Sequence, residues 1–318
     1  MRDERLDFFK GILIWSVVLG HCINAFCPDG NTLHLLLRTF DLPMFMCISG
    51  FLLKGSLERN DWKQVLMNKL TGLVMPAVVW TLVSWLLGDR CFYYFLWAVF
   101  ASTLFVCLCE RFFSNRRFAL GVLVLLAATF HLFPFKIANL SFLFPFFLMG
   151  YYSQDVICVG WRRGLLSLVF YVILFVFLWQ PEYTIWNSGG YVLREPAQMI
   201  PVVLIRLGIG VAGIWAVSFL LGGVHEKMHD TAVIKFFERL GQETLAIYVM
   251  QHVVVEMGLP QLVRVEDIYG VLACHPRVTG WVVAPGASLV LLVAMFRLAL
   301  LLKKSASSKW VFGFRMVK

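Results

Sequence analysis

Ten apolar stretches fill this 318-residue chain, each long enough to cross a bilayer or nearly so. They lie at about 8–27, 34–55, 66–88, 91–109, 118–134, 138–153, 163–180, 198–223, 241–258 and 278–302. A hydrocarbon core about 30 Å thick takes roughly 20 apolar residues of α-helix, and a backbone inside it must satisfy its own hydrogen bonds. The expected fold is therefore all-α, a polytopic membrane helix bundle with about ten transmembrane helices. Composition agrees, since 60% of the residues are apolar and only 15% are charged. No polar stretch is long enough for a separate soluble domain, and no repeat or linker divides the chain, so 1–318 reads as one domain.

An even number of crossings puts both termini on one side, and basic residues mark that side as the cytoplasm. Twenty of the 28 Lys and Arg residues fall there, from Arg5 and Lys10 through Lys54, Lys69, Arg117, Arg163 and Arg239 to Lys303 and Lys318. The first apolar run has no small-residue cleavage site after it and is expected to stay as the first span. The net charge of +9 is spread over every cytoplasmic connection instead of forming a stripe with exposed aromatics. That pattern speaks for membrane lipids as partners and against nucleic acid. The eight Cys residues show no metal-ligand spacing, and no metal is expected.

Two spans carry a histidine about halfway through, His21 and His252, and an imidazole inside a membrane is either satisfied by a partner or used by a reaction. Residues 11 apart on a helix return to within about 20° of one face, so Asp7, Lys10, Ile14, Val18 and His21 form a stripe with a cation at its cytoplasmic mouth. His252 lies 11 residues beyond Gly241 and reaches a similar depth, with Tyr248 and Glu256 on its face at i−4 and i+4. Two histidines at matched depth can converge on one cavity, although each could equally be a hydrogen-bonded packing residue. Arg38 and Asp41, at i,i+3, suggest an internal ion pair. Arg206, in the middle of the eighth span, needs a carboxylate such as Glu256 or Asp41, or a substrate.

Arg5-Leu-Asp7-Phe-Phe-Lys10-Gly11, then Leu19-Gly20-His21, then Phe40-Asp41-Leu42-Pro43-Met44-Phe45 with Ser49-Gly50-Phe51, resembles the opening of the acyltransferase-3 family of integral membrane acyltransferases. Lys69 to Pro76 with Trp80 resembles the entry to that family's third span. Phe144-Pro145-Phe146-Phe147 with Gly150-Tyr151 resembles a mid-chain element, and Leu240-Gly241-Gln242-Glu243-Thr244-Leu245-Ala246-Ile247-Tyr248 ending in His252 resembles its C-terminal signature. These landmarks run in the expected order from residue 5 to residue 252.

The resemblance implies a membrane O-acyltransferase, most often an O-acetyltransferase. The donor would be acetyl-CoA or another acyl-CoA in the cytoplasm, and the acceptor a hydroxyl of an extracytoplasmic polysaccharide or lipid-linked sugar. It also implies a multi-pass protein of a bacterial inner membrane. Three positions depart from the pattern: Lys10 stands where Arg is common and lacks the planar fork, Asp41 stands where His is frequent, and Lys69 is followed by Gly72 where a second basic residue is usual. Moving an acyl group from a thioester to an alcohol requires removal of the hydroxyl proton, and neutral imidazole is the usual base near pH 7. His21 is the candidate for that role; attack by a histidine to form an acyl-imidazole is the other route. The catalytic candidates are thus His21, His252 and Asp41. Lys10, Arg5 and Lys69 are the candidates for the donor's phosphates, with Lys54 and Arg239 also at that face. Glu256, Tyr248 and Arg206 are the candidates for acceptor binding.

His225-Glu226-Lys227-Met228-His229 fits the zinc-protease pattern but lies in a polar connection without a third ligand. Gly208-Ile-Gly210-Val-Ala-Gly213 fits the dinucleotide fingerprint but sits inside a span with no preceding strand, where it reads as close helix contact. The competing function class is a secondary transporter of a sugar, lipid or proton-coupled solute, against which the halves show no paired broken spans. Acceptor recognition is expected in the outer loops 28–34, 181–197 and 259–277, with Trp186, Asn187, Tyr191 and Arg194 suited to a sugar.

Overall fold

The computed structural model describes residues 3–27, 31–89, 91, 93–113, 115–129, 140–153, 159–180, 196–263, 272, 275–303 and 308–313. All regular structure among the described residues is helical. In chain order the helices are α1 (Glu4–Phe26), α2 (Thr32–Leu57), α3 (Trp62–Leu86), α4 (Tyr94–Phe112), α5 (Arg116–Thr129), α6 (Leu140–Tyr152), α7 (Trp161–Phe177) and α8 (Pro196–Met228). They continue with α9 (Ala232–Gln242), α10 (Thr244–Gln251), a π-helical turn at His252–Gly258, α11 (Leu259–Val263), α12 (Thr279–Leu302) and α13 (Ser308–Phe312).

Helices occur at all ten expected positions, but among the described residues six are both long and apolar enough to cross a membrane: α1, α2, α3, α4, the Pro201–Met228 stretch of α8, and α12. The stretches at 118–134 and 138–153 form shorter helices over their described parts, and α7 has 17 residues. The ninth span is interrupted by the π turn and holds Gln251, His252 and Glu256, which dilute its apolar character. The sequence also misses α9, a helix of 11 residues in the connection after α8, which buries Ile234, Phe237, Leu240 and Gly241. It starts where the Thr231 hydroxyl accepts from Ile234 N, just as Asp3 caps α1 and Asp61 caps α3.

The chain forms two compact units, and α2, α3 and α8 each contribute to both. The first comprises Met1–Asp41, Met75–Phe92 and Val224–Lys318. Its core is α1, whose Phe9, Leu13, Ile14 and Val18 are completely buried. α1 lies directly on α9 because glycines let the two backbones touch. A Cβ built on Gly11 would stand 2.0 Å from the Phe237 carbonyl oxygen, and one on Gly241 would stand 1.8 Å from that of Asp7. Trp15 Nε1 donates to Ser288 Oγ of α12 at 3.0 Å. α13 folds back so that the Val311 carbonyl accepts from Trp80 Nε1 at 2.9 Å, with Phe312 against the same indole.

The second unit comprises Leu42–Val74 and Tyr93–Gly223. Here Phe144, Phe146 and Phe147 of α6 are fully buried. A second reciprocal glycine pair joins α2 to α6: a Cβ on Gly50 would lie 2.0 Å from the Phe147 carbonyl oxygen, and one on Gly150 would lie 1.8 Å from that of Cys47. Gly210 of the rejected dinucleotide pattern faces Phe146 in the same manner, 2.4 Å from its ring. The outer face of α7 leaves Leu166, Phe170, Ile173 and Phe177 exposed, the surface a helix presents to lipid.

Candidate active site

Nearly five turns into α1, His21 faces the ninth span within the first unit. His252 opens the π turn, whose i→i+5 hydrogen-bonding register is wider than that of an α-helix. The wider turn brings both Gln251 and His252 onto the same carboxylate. Gln251 Nε2 donates to Glu256 Oε1 at 3.1 Å, and His252 Nδ1 lies 2.9 Å from Glu256 Oε2. His21 Nδ1 lies 3.1 Å from Glu256 Oε1. The two histidines therefore meet through a single glutamate. The far nitrogen of His252, Nε2, is 2.6 Å from Asp89 Oδ2, in the turn after α3.

Proton counting fixes the states that this arrangement accommodates. An ionised carboxylate only accepts, and Glu256 is surrounded by nitrogens of Gln251, His252 and His21. Each facing nitrogen must then carry a hydrogen, so neutral His21 is protonated on Nδ1 and its Nε2 holds a lone pair. Nε2 of His21 has no partner among the described residues. Gln251 Oε1 is buried and likewise unpartnered among the described residues, an acceptor open to a donor such as a hydroxyl.

On the α2 side, His34 Nε2 accepts from Arg38 Nε at 3.1 Å, and Arg38 Nη1 lies 3.7 Å from Asp41 Oδ2, the ion pair expected from their spacing. The guanidinium reaches α1 at the residue before His21: a Cβ on Gly20 would be 3.5 Å from His34 Cδ2 and 3.9 Å from Arg38 Nη2. Asp41 thus braces Arg38. A buried guanidinium held from two sides and adjacent to an imidazole with a free nitrogen is suited to chemistry that removes a proton while negative charge develops nearby.

A family model described as an acyltransferase domain matches residues 3–302. The chain belongs to the acyltransferase-3 family. Nodulation protein NolL of Mesorhizobium japonicum is 24% identical over 308 residues, covering 84% of this chain and 80% of that protein. Nodulation protein NolL of Sinorhizobium fredii is 25% identical over 302 residues, covering 84% of this chain and 81% of its own. No solved structure matches. With its membrane-spanning helices, this acyltransferase-3 chain is a multi-pass integral membrane protein.

The remaining candidates are placed as follows. Lys10 pairs with Asp7 at 2.6 Å, and Ile14 and Val18 between it and His21 are wholly enclosed, so this side of α1 is filled by neighbouring helices. The Arg5 guanidinium stands 5.5 Å from the centre of the Phe9 ring. Tyr248 is half-buried one turn before His252. Lys69 and Arg206 belong to the second unit. Lys69 is half-buried, at the last residue before the π turn Leu70–Val74. Arg206 has no carboxylate among the described residues; its Cζ lies 4.0 Å from the centre of the Phe142 ring, and Nε and Nη2 lack hydrogen-bond partners there. Trp186, Asn187, Tyr191 and Arg194 lie outside the described residues. In the rejected zinc pattern His225 contacts Glu238 at 2.9 Å and His229 contacts Asp230 at 3.0 Å, two separate pairs.

Sequence reasoning missed Asp89, Gln251 and His34. Gln251 and His34 were visible as polar residues inside apolar runs, one beside His252 and the other four residues before Arg38. Asp89 carries no such signal, since it sits in a turn 163 residues from its partner.

Proposed function

We propose that this protein is an acyl-CoA-dependent O-acyltransferase of a bacterial inner membrane. It moves an acyl group, acetyl in the first instance, to a hydroxyl of an extracytoplasmic or lipid-linked glycan. The observation that carries the reading is the orientation of His21: Nδ1 against Glu256 and Nε2 open. In this reading the acceptor hydroxyl gives its proton to Nε2 as its oxygen attacks the thioester carbonyl carbon. The carbon–sulfur bond then breaks, and the departing thiolate takes the proton from His21, leaving an ester and free CoA. Glu256 fixes the tautomer as the carboxylate does in a Ser-His-Asp triad. Gln251 Oε1 is open to accept from a neighbouring hydroxyl of the acceptor. The glycan class and the donor's approach from the cytoplasm follow from the family resemblance, and the cytoplasmic termini from the distribution of basic residues.

Because Ile14 and Val18 are enclosed, the donor's pantetheine arm reaches His21 along another face of α1 or after neighbouring helices part. Lys10 and Arg5, both of the first unit, remain the cations assigned to its phosphates. The first test is acetyl-CoA binding to the detergent-solubilised protein, with CoA lacking the 3′-phosphate and the Lys10→Ala variant alongside. Saturable binding weakened about tenfold by either change is expected, the loss of one charge-assisted contact. Absence of binding by well-folded protein would return the chain to the transporter reading.

Arg38 is assigned to the negative charge that forms on the thioester oxygen, since His34 and Asp41 hold it beside Gly20 before any substrate arrives. Arg38→Gln is expected to lower turnover by about 10² to 10³, the range for removing one preorganised oxyanion donor. Its donor dissociation constant should stay within about twofold of the parent's, because the contact forms in the transition state. A weakened donor affinity with turnover intact would assign Arg38 to binding instead.

A further inference from the structure

Among the groups around His21, the outermost is the one that no sequence pattern marks. Asp89 is almost half exposed, at the end of α3, yet its Oδ2 is 2.6 Å from a histidine whose side chain is 8% exposed. His252 has a carboxylate oxygen at each ring nitrogen, Asp89 Oδ2 at Nε2 and Glu256 Oε2 at Nδ1. Two ionised carboxylates at the two nitrogens require two ring hydrogens, which only the imidazolium form supplies. With Asp89 removed, a single hydrogen on Nδ1 suffices for the contact to Glu256, and the imidazole loses its charge.

We infer that Asp89 is a positioning residue for the proposed acyl transfer: through His252 it holds Glu256 as an oriented acceptor and so keeps the proton of His21 on Nδ1 and its Nε2 open. The inference rests on the reading of His21 as the reacting base. Among the described residues, the ionisable groups that face His21 and His252 include Glu256 and Asp89 together with Arg38, His34 and Cys91 from α2 and the turn after α3. Of these, only Asp89 and Glu256 are carboxylates in contact with His252, so the aspartate is the group whose removal changes how many protons that ring must carry.

The experiment reads His21 without any acyl donor or acceptor. Purified full-length protein is treated briefly with diethyl pyrocarbonate at pH 7, and modification of each histidine is followed by peptide mass spectrometry. His229, whose side chain is 61% exposed, serves as the internal reference for reagent delivery. The reagent reacts with an unprotonated imidazole nitrogen, so the His21-to-His229 rate ratio reports how available Nε2 is. Asp89→Asn, which keeps the shape but removes the charge, is expected to lower that ratio about tenfold or more. The scale is taken from metal-ligating histidines, whose outer partners are worth about 10- to 100-fold in affinity or activity. Asp89→Glu should restore most of it.

An unchanged ratio in Asp89→Asn overturns the inference. So does an equal loss in the Asn and Glu variants accompanied by new modification of His252, which would mean that Asp89 merely closes the turn. Failure of the acyltransferase reading itself would appear elsewhere, as absent acetyl-CoA binding, and would leave the rate ratio untouched.

Discussion

His21→Ala is expected to abolish acyl transfer while leaving the protein inserted and folded. The loss expected from removing a general base is about 10² to 10⁴ in turnover, and it approaches completeness if the same nitrogen forms an acyl-imidazole. The side chain touches the rest of the unit mainly through one contact to Glu256, whose oxygens retain Gln251 and His252. Alanine at this position therefore strands no charge, and protein yield and elution profile should match the parent's. The measurement is acetylation of surface glycan in cells carrying the variant, alongside membrane content by immunoblot. Added imidazole should recover part of the activity if the residue acts as a base, because the vacated space adjoins an ordered carboxylate. An acylated His21 trapped on brief exposure to acetyl-CoA would assign it as the nucleophile. Normal glycan acetylation in the variant would sink both roles.

The second large effect is on stability. Gly241→Ala places a methyl carbon 1.8 Å from Asp7 O and 3.0 Å from Gly11 N, all of it backbone, which no rotamer change relieves. α1 and α9 must separate by more than an ångström, and overpacking of that kind costs about 1–3 kcal/mol or more. Gly223→Ala is the control, because nothing stands within 4 Å of its Cβ. There the change is expected to be neutral or slightly stabilising, as alanine is the better helix former. Heating the detergent-solubilised proteins and measuring the monodisperse fraction should show Gly241→Ala failing several degrees lower. Gly11→Ala with Gly241→Ala should cost less than the two single changes added, because both act on one interface. Equal heat resistance of Gly241→Ala and Gly223→Ala would mean that α1 and α9 are not in backbone contact. Since α9 leads into the segment that bears His252, the same variant should also lose transfer activity.

The helical, membrane-spanning character of the chain was legible because hydropathy responds to the bilayer and needs no tertiary information. The number of full-length crossings was less so: an apolar run of 13 to 17 residues looks much like a longer one when its ends are blurred, as at α6 and α7. His21 and His252 could be matched in depth by counting residues, and Glu256 could be placed one turn from His252. That Glu256 bridges both histidines could not be read, because α-helical arithmetic pairs i with i+4 and the π turn pairs Gln251 with Glu256 as well. Gly11, Gly50, Gly150 and Gly241 stood out as landmarks, but their reason is a partner backbone that only the fold supplies. The Arg38–Asp41 pair followed from local spacing, whereas Asp89 came from a distant turn with nothing nearby to announce it.

The π turn at His252–Gly258 bears on how this chain should be lined up with distant relatives. A π turn spends one more residue per hydrogen-bonded loop than an α turn, so a homologue that lacks it is one residue shorter there while keeping helices of equal length on either side. Deleting Val254 would thus let the turn revert to α-helix with both flanking helices in place, and would set the glutamate three residues after His252 instead of four. A one-residue gap in this stretch of a pairwise comparison is therefore a geometric marker, and it sorts relatives by whether they keep the π turn.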